Sequence, residues 1–279
     1  MAKEPTIYVV VGPTASGKSD YAVQLAKKIG GEVISADSRQ VYKGLDIGSG
    51  KITKQEMKGV PHHLLDVASP KRVFTANDYV RLARPILEDI LKRGKTPIIC
   101  GGTGFYIDAL LGRISLPDVP ANRELRRELK GKSTGELHAK LKKLDPRRAR
   151  EIDRHNPVRL IRAIEIAKAL GKVPKVKPRP LPLRVIWKKM KTAEMSYPKV
   201  IHTRLLARMR QGMVAEAKRL HKEGLSYKRM EELGLEYRHL SRLLQHKVTK
   251  AHMLQELEQD ILHYAKRQRT YWRKLKSDT

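Results

Sequence analysis

The feature that most constrains this chain is Gly12-Pro13-Thr14-Ala15-Ser16-Gly17-Lys18-Ser19. Before it stands an apolar run, Ile7-Tyr8-Val9-Val10-Val11; after it Tyr21, Ala22, Leu25, Ala26 and Ile29 recur at helical spacing until Gly30-Gly31. Strand, glycine-bearing loop ending in Gly-Lys-Ser, and helix together spell a phosphate-binding loop. The glycines let successive backbone N–H groups turn into one concavity, and the helix N-terminus adds its dipole. Lys18 brings a point charge for phosphate, and the Ser19 hydroxyl can reach a magnesium ion. The loop specifies a diphosphate group rather than ATP in particular. Nucleoside kinases, NTPases and transferases that expel diphosphate all remain open at this point.

Two further apolar runs end in polar or glycine-bearing turns: Val33-Ile34-Ser35 leads into Asp37-Ser38-Arg39-Gln40, and Pro97-Ile98-Ile99-Cys100 leads into Gly101-Gly102-Thr103-Gly104. Between them the pattern predicts a helix over 75–93, with Thr75 as its cap and Gly94 as its stop. Strands that alternate with helices argue for an α/β fold: a parallel sheet core of the phosphate-loop type, flanked by helices, with ligands at the strand C-termini. After Leu116-Pro117-Asp118 the texture changes to short, very basic helical stretches, then a helix over 156–170 and a linker marked by Pro174, Pro178, Pro180 and Pro182. We therefore expect residues 117–182 to form an inserted basic helical subdomain with its linker, and 1–116 with 183–279 to form the core. A returning strand over 183–187 and long amphipathic helices over 198–223 and 249–276 complete the core.

The formal net charge is +30, far more than solubility requires, and it points to a polyanion, naturally a nucleic acid. A generally basic proteome would raise the charge as well. Cys100 is the single cysteine, so disulfides and Cys-rich zinc sites are excluded and a reducing cytosol fits. His62-His63 lack further ligands at suitable spacing and read as part of a loop, not as a metal site. The apolar runs are too short for a signal-peptide core or a membrane span. A cytoplasmic protein, acting as a monomer, is expected.

Asp37 follows an apolar strand at the active edge, where a base or metal-binding carboxylate would stand; a plain turn or cap role is the alternative. Ser38, Arg39 and Gln40 beside it offer a hydroxyl, a guanidinium and an amide suited to a nucleobase or phosphate. The run 265–274, basic with aromatic residues interleaved, fits a solvated helix end, an RNA contact or core packing equally well.

Several blocks, in order, resemble the tRNA dimethylallyltransferase family: 12–19, Ile34-Ser35-Ala36-Asp37-Ser38-Arg39-Gln40 and on to Gly48, Pro61-His62-His63-Leu64-Leu65-Asp66, and Gly101-Gly102-Thr103-Gly104-Phe105-Tyr106. Asp145-Pro146, Arg159 with Arg162-Ala163-Ile164-Glu165, and Ala265-Lys266-Arg267-Gln268 extend the resemblance over nearly the whole chain. It implies transfer of a dimethylallyl group from dimethylallyl diphosphate to the N6 amine of the adenosine immediately 3′ of a tRNA anticodon. It further implies that Asp37 is the general base, that Thr103 lies against the tRNA at the reaction centre, and that Arg204 helps to hold the diphosphate. Spacing alone would leave Arg204 on a solvated helix face. Asp37 to Gln40, with Val158, Arg159, Leu160, Ile161 and Arg162, are implied to meet the tRNA. The basic insertion would clasp the anticodon stem-loop through its charge. A prenyltransferase acting on free adenine nucleotide and a small-molecule kinase are the rivals. Two segments depart from the family's usual pattern: Gly48-Ser49-Gly50-Lys51, where Gly-Thr-Ala-Lys is commoner, and Gly234-Leu235-Glu236-Tyr237-Arg238, where Gly-Tyr-Lys or Gly-Tyr-Arg is expected.

Overall fold

Five parallel strands organise the computed structural model, which describes residues 4–114, 116–175, 178–190 and 197–273. The chain divides into two compact units, Met1–Leu111 with Pro180–Thr279, and Gly112–Arg179. In the first, β1 (Thr6–Val11), α1 (Lys18–Ile29), β2 (Gly31–Ser35), the single-turn α2 (Lys54–Met57), β3 (His62–His63), α3 (Ala76–Lys92), β4 (Thr96–Gly101) and α4 (Gly104–Leu110) follow one another. The second holds α5 (Arg123–Leu129), α6 (Thr134–Leu144), α7 (Pro146–Glu151) and α8 (Pro157–Leu170). The chain then rejoins the first unit with β5 (Arg184–Lys189), α9 (Tyr197–Arg210), α10 (Met213–Lys222), α11 (Tyr227–Leu233), α12 (Leu235–Leu244) and α13 (Lys250–Trp272).

The sheet runs β3-β2-β4-β1-β5, every pairing parallel. Its inner strands are buried along nearly their whole length, as both faces are covered by helices. That is why they read as continuous apolar runs instead of alternating ones. Parallel register brings the C-terminal ends of β1, β2 and β4 to one edge, where the order of connection reverses and a crevice opens. The loop 12–17, the turn 36–40 and the segment 102–103 all lie at that edge.

The helix predicted over 75–93 is α3, closed by a reciprocal Thr75–Asp78 capping box. The single helix predicted over 198–223 is two. Gly212 sits at φ +100°, which ends α9 and serves as the N-cap of α10. Residues 227–244, given no element from the sequence, form α11 and α12. The predicted last helix is α13; the part of that prediction beyond 273 lies outside the described residues.

His63 is tied to the fold. Its Nε2 lies 2.8 Å from Glu32 Oε2, and the same carboxylate accepts from Arg93 at 2.6 and 2.9 Å and from Lys95 at 2.9 Å. Glu32 has a side chain 3% exposed, and its partners knit β2, β3 and the α3–β4 connection. The Arg93 guanidinium, ahead of Lys95 and His63, outweighs burial and holds the Glu32 carboxyl far below the ordinary carboxylate range.

The unit Gly112–Arg179, where the sequence suggested 117–182, has its own core of Leu125, Leu129, Leu137, Leu141, Leu160 and Ile164. Glu165 is buried there and accepts from Arg126 at 2.6 and 2.8 Å, from Arg162 at 3.2 Å and from the Asn122 N–H at 3.0 Å. Asp145 accepts from the Arg148 and Val173 N–H groups, both at 2.9 Å. The Asp-Pro and Arg-Ala-Ile-Glu blocks are thus the internal fasteners of this unit.

Glu32→Gln removes a buried charge from two cationic partners, Arg93 and Lys95, and from the His63 ring, and is expected to cost about 3 kcal/mol, read by chemical denaturation. The folded carboxyl titrates below its unfolded value, so its contribution is full above pH about 4.5 and is lost as pH falls. The wild type should therefore lose stability on acidification more steeply than the variant.

Candidate active site

The site is built from the loop that follows β1. Ala15 at φ +59° and Gly17 at φ +75° interrupt the right-handed backbone, so the N–H groups between β1 and α1 turn toward one hollow. Gly17 is also the N-cap of α1 and brings the helix dipole to that hollow. Lys18 Nζ donates to the Pro13 carbonyl across the loop at 3.2 Å. Gly12 and Pro13 are buried and form the rear of the loop, while 14–19 face the cavity.

The loop is clasped from the far end of the sequence. Gln268 on α13 accepts from the Thr14 N–H at 2.8 Å and donates to the Gly102 carbonyl at 3.1 Å. The Tyr197 hydroxyl of α9 donates to the Thr14 carbonyl. A Cβ at 102 would stand 2.0 Å from Gln268 Nε2, so any larger residue there must displace that amide.

Asp37 and Thr103 are set by the ends of β2 and β4. Ala36 donates to the Cys100 carbonyl at 2.8 Å and accepts from the Thr103 N–H at 3.1 Å. The Ser38 N–H donates to Thr103 Oγ1 at 3.1 Å, and Thr103 is also hydrogen-bonded to Tyr264. Burial holds the Tyr264 phenol well above its ordinary range, so it stays protonated. Asp37 Oδ1 accepts from the Arg39 N–H at 2.8 Å and the Gln40 N–H at 3.3 Å. Asp37 therefore closes a turn and lines the cavity at once. One oxygen closes the turn, and Oδ2 receives no hydrogen bond from the described residues.

These groups surround a cavity of about 470 Å³, lined by 14–20, Asp37, Ser38, Arg39, Gln40, Arg204, Arg208, Glu236, Tyr264 and Gln268 among others. That is room for a small phosphorylated ligand and the edge of a base. Arg204 faces it without a carboxylate partner among the described residues. Burial, with the Arg204 and Arg208 guanidiniums, pushes the Lys18 ammonium below the ordinary lysine range against the pull of Cys100 and Asp37. Three cations crowded around a nest of amides make an anion site whose charge a bound diphosphate would complete.

The sequence pattern of the IPP transferase family matches residues 40–275. The chain belongs to the IPP transferase family. Its relatives include tRNA dimethylallyltransferase 2 of Citrifermentans bemidjiense, 41% identical over 98% of this chain and 88% of the relative, and tRNA dimethylallyltransferase 2 of Treponema denticola, 42% identical over 97% and 92%. Among solved structures, the full-length tRNA isopentenylpyrophosphate transferase of Bacillus halodurans superposes with a TM-score of 0.71 at 36% identity, over 98% of this chain and 88% of that one. A eukaryotic dimethylallyltransferase acting on tRNA shares the fold, with a TM-score of 0.84 at 24% identity, over 96% of this chain and 70% of that one.

Within this member of the IPP transferase family, the first unit thus unites 12–19, 37–40, Thr103 and Arg204. Val158 to Arg162 belong to the other unit, at the start of α8. Val158 is 75% exposed, and Arg159 is largely exposed with its guanidinium 3.8 Å from Asp153. Ile161 is half-buried, and Arg162 is tied to Glu165 and to the Val119 carbonyl. Leu160 is fully inside the core, so its side chain packs and does not face a ligand. Sequence reasoning gave no role to Arg208 or Tyr264, and quoted Glu236 and Gln268 without one. Arg208 was detectable: it stands four residues after Arg204, on the same helix face.

Gln268→Ala removes both bonds of the clasp, each worth about 1 kcal/mol. The Michaelis constant for the prenyl donor should rise about tenfold, and Gly102→Ala, which displaces the same amide, should raise it by as much. Steady-state kinetics at varied donor concentration checks both.

Proposed function

We propose that this chain transfers a dimethylallyl group from dimethylallyl diphosphate to the N6 amine of the adenosine immediately 3′ of a tRNA anticodon, releasing diphosphate. The observation that carries the reading is the single cavity that sets a carboxylate with a free oxygen, Asp37, opposite an anion nest lined by Lys18 and Arg204.

Adenine N6 is a weak nucleophile because its lone pair is delocalised into the ring, and a positioned carboxylate that takes its proton compensates. N6 attacks the allylic carbon, the carbon–oxygen bond to diphosphate breaks with its electron pair leaving on the diphosphate, and the N6 proton passes to Asp37 Oδ2. Backbone N–H groups of the loop, Lys18 and Arg204 meet the negative charge as it accumulates. Thr103, fixed by Ser38 and Tyr264, borders the entering base.

The loop also suits a magnesium ion. Ser16 Oγ is buried without a hydrogen-bond partner, and with Ser19 and Asp20 it gives the cavity an oxygen-only donor set at the head of α1. Magnesium favours hard oxygen donors of this kind. Ser19 would hold it, and when bound it neutralises charge on the leaving group.

The tRNA is the polyanion that the net charge of +30 anticipates. Its base must leave the anticodon stack to reach Asp37. The surface of the Gly112–Arg179 unit carries Arg123, Arg127, Lys130, Arg150, Arg154 and Arg159, suited to the phosphates of the anticodon stem-loop. Among the described residues no helix is long and apolar enough to cross a membrane, and a cytoplasmic monomer is our reading.

Purified protein with magnesium, labelled donor and unmodified tRNA should give isopentenyladenosine in the tRNA; label entering AMP or ADP efficiently instead would favour the free-nucleotide rival, and ATP turnover the kinase. Asp37→Asn should lower turnover about a hundredfold or more while tRNA affinity is kept, measured by single-turnover transfer and filter binding. Raising salt from 50 to 200 mM should weaken tRNA binding by about a thousandfold or more.

A further inference from the structure

The two segments that depart from the family pattern meet at one side chain. Arg208 Nη1 donates to Glu236 Oε1 at 3.2 Å and to the Gly48 carbonyl at 3.3 Å. Its Nη2 passes so close to Gly50 that a Cβ there would stand 2.0 Å away. Gly50, in the first departing segment, makes the space; Glu236, in the second, makes the bond. The surroundings hold both in place. Glu216 accepts from the N–H groups of Asp46, Ile47 and Gly48 at 3.0, 2.7 and 3.0 Å and from the Tyr237 hydroxyl at 2.8 Å. The loop that bears Gly50 is therefore fastened to the helix that bears Glu236.

We propose that Glu236 is a positioning residue for the prenyl donor: by holding the Arg208 guanidinium across Gly50, it makes Arg208 a second guanidinium beside Arg204 on the diphosphate. The proposal rests on the reading of the cavity as a diphosphate site. Arg208 is well placed for it. Its side chain is 13% exposed and that of Glu236 11%, and both line the cavity with Lys18 and Arg204. A guanidinium with one edge tied down keeps its fork aimed and loses little freedom when an anion arrives. Burial, opposed by Arg208 and reinforced by Asp37, pushes the Glu236 carboxyl above the ordinary range. The pair is thus a buried one and not an idle surface bridge.

Simple charge counting makes the opposite forecast. Removing a carboxylate from an anion site should tighten an anion, whereas loss of a positioning residue loosens it. The test is calorimetric titration of the full chain with inorganic pyrophosphate, together with steady-state transfer to tRNA. Glu236→Ala should weaken pyrophosphate about tenfold and raise the Michaelis constant for the donor by a similar factor. The maximal rate should stay within about threefold and the Michaelis constant for tRNA should not move. Glu236→Gln, which keeps one bond to Arg208, should recover part of the loss. Gly50→Ala, which displaces the guanidinium and leaves the carboxylate, should match Glu236→Ala, and the double variant should be no weaker than either, because both act through one side chain. Should Glu236→Ala not fold, Gly50→Ala and Arg208→Ala carry the test. Pyrophosphate binding that is unchanged or tighter in the Glu236 and Gly50 variants, while Lys18→Ala weakens it, overturns the proposal. An unchanged Lys18→Ala overturns the diphosphate reading itself.

Discussion

The clasp made by Gln268 is the interaction on which the rest of the active edge depends. It joins the Thr14 N–H, 254 positions earlier in the chain, to the Gly102 carbonyl, and so sets the loops after β1 and β4 against each other. A parallel sheet aligns strand ends but does not fix the loops that leave them. Here the fixing is done by a single buried amide with both of its faces in use, and a polar group so placed is rigid because either half left unpaired would be costly. Tyr197, on another C-terminal helix, repeats the arrangement at the Thr14 carbonyl.

How much of this could be read beforehand follows from how local each determinant is. The strand, loop and helix over 6–29 were legible because glycine spacing, an apolar run and helical periodicity lie within one short window. Asp37 was legible as a carboxylate at a strand end, with a turn role as the alternative to a base or metal-binding one; the structure shows it closing the turn while it lines the cavity. Glu236 was not legible. It lies in a segment to which the sequence assigned no element, and only tertiary packing brings it against Arg208. The long helix over 198–223 failed for a local reason: amphipathic spacing runs through Gly212, but a residue at φ +100° cannot stay in a helix. Leu160 shows the opposite limit, where a motif block mixes residues that face solvent with one that fills a core.

Electrostatics explains why the site has the composition it does. Lys18, Arg204 and Arg208 repel one another, and burial adds to the cost on Lys18. Such an arrangement is unfavourable by itself and would be relieved by an anion in the cavity. Among the described residues, Arg208 alone of the three has a carboxylate at ion-pair distance, Glu236 at 3.2 Å.

The connectivity of the clasp also has a bearing on biosynthesis. The phosphate loop and Asp37 are made early, whereas Tyr197, Arg204 and Gln268 all come after the Gly112–Arg179 unit. Folding that proceeds from the N-terminus as the chain emerges therefore yields the first four strands, without β5, beside a phosphate loop that still lacks its fastening. The Gln268 tie between the two loops can form only once α13, the last helix, is in place.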